Sequence, residues 1–99
     1  MLYAIAGTDA PDSLPGRLAA RAAHLSRVTR LRDQGRLVLA GPHPRLDTSE
    51  PGAAGFSGSL IVAEFPTRAE AEAWAAADPY MQAGVWTEAS VRPFIQVMP

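Results

Sequence analysis

Only two side chains in this 99-residue sequence, His24 and His43, belong to the residue type that exchanges a proton near neutral pH when unperturbed. Cysteine is absent and all nine basic residues are arginine, which removes thiolate nucleophiles, thiolate metal sites, disulfides and lysine Schiff bases. Acid–base work therefore falls first to His24, which follows Arg21 at i, i+3, the spacing that sets two side chains together on a helix surface. A carboxylate receiving an imidazole N–H would fix its tautomer and raise its basicity, and Asp78 is the candidate for that part. Nothing in the separation of 24 from 78 brings the two together. Asp78 precedes Pro79, and capping a helix would by itself account for it, while His24 alone reads more readily as a hydrogen-bonded boundary residue than as a catalytic one. His43, between Pro42 and Pro44, reads as a solvated loop histidine.

These residues need elements to hold them. Leu2 to Gly7 reads as a first strand, ending at the turn-forming segment Thr8 to Ser13. Leu14 to Gln34 is rich in helix formers and is followed by Gly35, a left-handed stop. At about 100° per residue, Leu14, Leu18, Leu25, Val28 and Leu31 share a mean direction that nearly coincides with Arg21, so this arginine is expected to point inward. A guanidinium turned inward requires a carboxylate, a set of carbonyls, a pocket or a route to the helix rim. Arg36 to Gly41 and Ser59 to Phe65 read as the second and third strands, joined by a long loop that could fold over a cleft. Thr67 and Glu70 fit a capping box opening a second helix, Arg68 to Ala77, which Asp78-Pro79 breaks before a short turn over Tyr80 to Ala83. Val91 to Val97 is the last strand. Pro93 within it cannot donate to a ladder and places it at an edge, a bulge or an irregular pairing.

The order strand, helix, strand, strand, helix, strand predicts an α+β chain of ferredoxin-like βαββαβ type with an antiparallel sheet, in one domain spanning 1–99. The first three strands are apolar at odd and even positions alike. Two helices cover one face, so the other face calls for a cover, and a second copy of the same sheet, a homodimer, supplies one.

Composition narrows the functions. A hydrophobic fraction of 47% with 19% charged residues suits a folded globular chain. A formal net charge of −1 gives no excess of positive charge for a phosphate backbone, and Gly58 to Phe65 lacks the basic and stacking residues of an RNA-recognition strand. Nucleic acid is therefore not an expected partner. The glycines from Gly52 to Gly58 match neither a dinucleotide fingerprint nor a phosphate loop, and two histidines without a short ligand motif make a poor metal site. No apolar run reaches a membrane span and no targeting signal is evident, which gives a soluble cytoplasmic protein as the expectation.

Taken together, Arg21-Ala22-Ala23-His24-Leu25, Gly35-Arg36-Leu37, Ala40-Gly41-Pro42, Gly52 to Phe56, Gly58-Ser59, Asp78-Pro79-Tyr80 and Ala83-Gly84-Val85 resemble, in order, the YciI-like proteins. The resemblance implies a ferredoxin-like fold paired into a dimeric α+β barrel. It also implies a site in which His24 and Asp78 form a dyad beside a cleft, with Ser59 among its polar lining. A related dehydrochlorinase and the muconolactone isomerases of the wider group imply proton transfer on a small anionic metabolite, with no cofactor. On that basis His24 is expected to act as general base or acid, oriented by Asp78, while Arg21 and Ser59 bind the substrate's oxygens. A non-catalytic module that binds a small metabolite, or serves only to dimerise, is the competing expectation.

Overall fold

A computed structural model describes residues Met1–Pro99. Four strands, β1 (Leu2–Asp9), β2 (Leu37–Pro44), β3 (Phe56–Glu64) and β4 (Trp86–Phe94), form one sheet in the order β2-β3-β1-β4. Every pairing is antiparallel. Helices α1 (Leu14–Asp33), α2 (Arg68–Ala76) and the single turn α3 (Pro79–Gln82) complete the α+β, ferredoxin-like arrangement.

Local signals explain most boundaries. Thr67 Oγ1 accepts from Glu70 N at 3.1 Å and starts α2, and Asp78 caps α3 with Pro79 in its first turn. α1 ends at Gln34, and Gly35 turns the chain out with φ +70°, a conformation that costs glycine little. Pro93 lies in β4 and Pro42 and Pro44 lie in β2, and these are the two outer strands, where a missing N–H need not interrupt a ladder.

Three segments depart from the sequence reading. β2 continues through Pro42-His43-Pro44, so the connection to β3 is shorter than expected, and it carries a one-turn 3-10 helix at Gly52–Ala54. β4 begins at Trp86 and stops at Phe94, leaving Ile95 and Val97 outside the sheet. The third correction concerns α1. Its buried face is Arg17, His24, Val28 and Leu31, whereas Leu18 is 61% and Leu25 39% exposed. The helix is turned by about 60° from the mean direction of its apolar residues, and Arg21 moves from the centre of the covered face to its margin.

On β1, Tyr3, Ile5, Gly7 and Asp9 face the helices, alternating with Leu2, Ala4 and Ala6 on the other side. The helix side of the sheet supplies Ile61, Ala63 and Phe65 to a core shared with Val28, Leu31, Ala71 and Ala75. Trp86 lies across β1 at Gly7, where a Cβ would overlap the indole ring. Gly7→Ala is therefore expected to displace that ring and cost about 1–3 kcal/mol, read as a lower denaturation midpoint with a changed near-UV spectrum. An unchanged spectrum and midpoint would contradict the close packing at Gly7.

Candidate active site

The sequence-selected residues are drawn from separate elements. His24 lies in the middle of α1 and Asp78 at the start of α3, and both are buried, Asp78 completely. Nδ1 of His24 is 2.9 Å from Asp78 Oδ1 and 3.0 Å from Oδ2. The imidazole stacks on Tyr80, with centroids 4.1 Å apart and planes 17° apart, and meets the edge of Trp86 at 5.9 Å. These two aromatic contacts fix the plane of the ring. With Nδ1 facing the carboxylate, Nε2 is the ring nitrogen that has no hydrogen-bond partner within the chain.

Asp78 holds more than the imidazole. Its Oδ1 accepts from Tyr80 N at 2.9 Å, which is the α3 cap, and its Oδ2 accepts from Arg27 Nη1 at 3.2 Å. Arg27 also donates to the Trp74 carbonyl at 2.9 Å and lies over the Trp74 ring. A wholly buried carboxylate is costly unless donors and an opposite charge surround it, and Arg27 supplies that charge. Burial lowers the Arg27 pKa, opposed by the charge and hydrogen bond of Asp78. Burial also pushes the Tyr80 phenol up, against the nearby charges of Arg17 and Arg21.

A cleft of about 210 Å³ opens between α1 and strands β2 and β3. Arg21, His24 and Ser59 give it polar groups, and Leu25, Val28, Pro42 and Ile61 are among its apolar walls. Pro42 pairs with Ser59 and Ala40 with Ile61, so this wall is the strand read as Arg36 to Gly41 together with Pro42, which the sequence reading assigned to the loop. Arg21 makes no hydrogen bond or ion pair within the chain and stands exposed at the margin of the cleft. Two larger surface depressions lie elsewhere, one between α2 and β4 and one beside the start of α1. Neither includes His24 or Ser59.

The inward arginine of α1 is Arg17, one helical turn before the residue that the leucine pattern selected. Arg17 Nε donates to Asp9 Oδ2 at 2.8 Å, and its Nη2 donates to Asp9 Oδ1 at 2.9 Å and to Ser59 Oγ at 2.8 Å. Sequence reasoning missed Arg17 and Asp9. Two signals were available: Asp9 continues the inward positions 3, 5 and 7 of β1, and Arg17 stands seven residues before His24 on the same helix face. His43 is exposed on the outer strand, away from the cleft. No group of three His, Cys, Asp or Glu side chains is placed to hold a metal ion, and no helix is long and apolar enough to cross a membrane.

Comparison with known proteins gives consistent relatives. The model of the YCII-related domain matches residues 1–95. The protein YciI of Escherichia coli O6:H1 is 54% identical over 97 residues, covering 98% of this chain and 99% of that one. An uncharacterized protein of Haemophilus influenzae is 44% identical over the same length and coverage. Among solved structures, the 5-chloro-2-hydroxyhydroquinone dehydrochlorinase of Burkholderia phenoliruptrix, in complex with 2,5-dihydroxybenzoquinone, superposes with a TM-score of 0.83. That chain is 26% identical, with 96% of this chain and 94% of the other covered.

Proposed function

The chain belongs to the YCII-related family, and from that premise we propose that it is an enzyme moving a proton on a small anionic substrate, by elimination or isomerisation, with His24 as the acid–base group. The observation that carries this reading is the placement of Asp78 against Nδ1 of an imidazole that lines a cleft. In this mechanism Asp78 accepts the Nδ1 proton in a hydrogen bond and holds Nε2 as a lone pair toward the substrate. Nε2 takes a proton from carbon or oxygen, and the electron pair left behind moves onto a substrate oxygen or expels a leaving group such as chloride. Ser59 and Arg21 stabilise the oxygen that gains charge. The ring is regenerated when the imidazolium returns its proton to product or water.

The dehydrochlorinase relative supports this class, since loss of hydrogen chloride requires a base and a stabilised oxyanion. The test is incubation in D2O with small unsaturated oxyanions, 5-chloro-2-hydroxyhydroquinone first, followed by NMR for deuterium incorporation and by an electrode for chloride. Exchange or release that depends on His24 supports the proposal. Equal rates in the wild type and a His24 variant would overturn it.

The same proposal includes a homodimer, formed through the sheet face opposite the helices. That face carries Leu2, Ala4 and Ala6 of β1, with Leu60 beside Ala6 and Val62 beside Ala4, and Leu39 of β2 beside Val62. Leu39 is 47% and Phe94 41% exposed, and an apolar sheet surface of this kind favours burial. Leu60→Glu, near the middle of this face, is expected to shift the chain from dimer to monomer in sedimentation velocity with its far-UV spectrum retained. A dimer that survives the substitution would place the contact elsewhere.

A further inference from the structure

The buried pair Arg17–Asp9 takes no part in the proton transfer described above, yet it stands directly behind the cleft. Arg17 is 5% and Asp9 7% exposed. Replacing such a pair by apolar side chains is often neutral or stabilising, so stability alone is a weak reason to keep it. Its geometry does something further. A guanidinium only donates, so in the 2.8 Å contact between Arg17 Nη2 and Ser59 Oγ the hydroxyl oxygen is the acceptor. That contact is the only hydrogen bond made by the Ser59 side chain within the protein, which leaves its O–H without a protein acceptor, on a residue that lines the cleft. The guanidinium cannot easily turn away. Asp9 holds it through two nitrogens, and the faces of Tyr80 and Phe56 lie 4.6 and 5.2 Å from its carbon.

We infer that Arg17 and Asp9 are positioning residues that commit the Ser59 hydroxyl to donating into the cleft, so that the cleft selects ligands presenting an acceptor oxygen, a carboxylate, enolate or phenolate, at that point. The inference rests on the reading of this cleft as the substrate site. It adds a specificity device to it: a ligand presenting an acceptor oxygen pairs the one O–H of Ser59, whereas a ligand presenting only an N–H or O–H there leaves that O–H unpaired and is discriminated against. Tyr80 links this device to the imidazole, because one face receives Arg17 and the ring stacks on His24.

The test uses 2,5-dihydroxybenzoquinone and its diamino counterpart, 2,5-diaminobenzoquinone, as probes, with affinity measured by calorimetry on the full chain. Ser59→Ala and the paired variant Asp9→Asn/Arg17→Gln are each expected to weaken the dihydroxy probe by about tenfold or more, the scale of one hydrogen bond to a charged group. Combining all three substitutions is expected to add little, since the paired change acts only through the hydroxyl that Ser59→Ala removes. The preference for the dihydroxy over the diamino probe should fall in step. Arg17→Lys is a second route, because an ammonium keeps charge opposite Asp9 without the planar fork that reaches both partners. It should lose the same preference while keeping its near-UV spectrum. Losses that multiply in the combined variant, or an Arg17→Lys chain that binds and discriminates like the wild type, would overturn the inference. So would a wild type indifferent to the two probes. None of these results depends on turnover, so each is separable from a failure of His24 to transfer protons.

Discussion

His24→Asn is expected to lower deuterium exchange or chloride release by about 10²–10⁴-fold, the range that a positioned acid–base group contributes, while leaving the fold in place. Asparagine is chosen because its amide N–H2 reaches the region of Nδ1 and continues to supply Asp78 with a donor, whereas nothing replaces Nε2 at the cleft. The wild-type contacts that must be preserved are the 2.9 and 3.0 Å approaches to the carboxylate. Binding of 2,5-dihydroxybenzoquinone should change far less than turnover, because Ser59 and Arg21 remain. A variant that exchanges protons at the wild-type rate would remove His24 from the chemistry, and one that loses binding and turnover equally would make it a binding residue.

Asp78→Ala carries the largest expected cost in stability. It removes the acceptor for the first amide of α3, the partner of His24 Nδ1 and the counter-charge of Arg27 together. Breaking a buried charge cluster from one side costs about 3–5 kcal/mol, and the lower end applies because the Arg27 side chain, 21% exposed, can turn toward water. For a domain of this length, a loss of about 3 kcal/mol lowers Tm by about 15 °C. Asp78→Asn separates the parts. An amide oxygen still caps α3, so the loss is expected to be smaller, about 1–2 kcal/mol, while turnover falls because the imidazole loses its anionic partner. Equal midpoints for Asp78→Ala and the wild type in thermal denaturation would show that the cluster is not part of the stabilising core.

The topology was legible because strand and helix signals alternate plainly and the punctuation is explicit: Gly35 after α1, Thr67 with Glu70 at α2, Asp78-Pro79 at α3. The candidate residues His24 and Asp78 were legible through residue type and family pattern, but their separation of 54 positions gave no physical reason for contact. Only the packing of α3 against α1 supplies it. Arg21 was assigned to the interior for a definable reason. Amphipathic analysis follows the leucines, and on α1 the sheet-facing positions nearest the cleft are polar, Arg17 and His24, while Leu18 and Leu25 stay outside. A helix face that buries polar side chains therefore misleads a hydrophobic average. The end of β2 was lost for the opposite reason. Two prolines in three residues resemble a loop, and their compatibility with a strand is evident only once β2 is known to have a free side.

Those prolines have a consequence beyond the cleft. Every open sheet offers two lateral rims to which another polypeptide's backbone can attach, and here Pro42 and Pro44 interrupt one rim while Pro93 interrupts the other. Each removes an amide hydrogen that a runaway stack of strands would need, so side-by-side growth toward fibrils is handicapped at both ends.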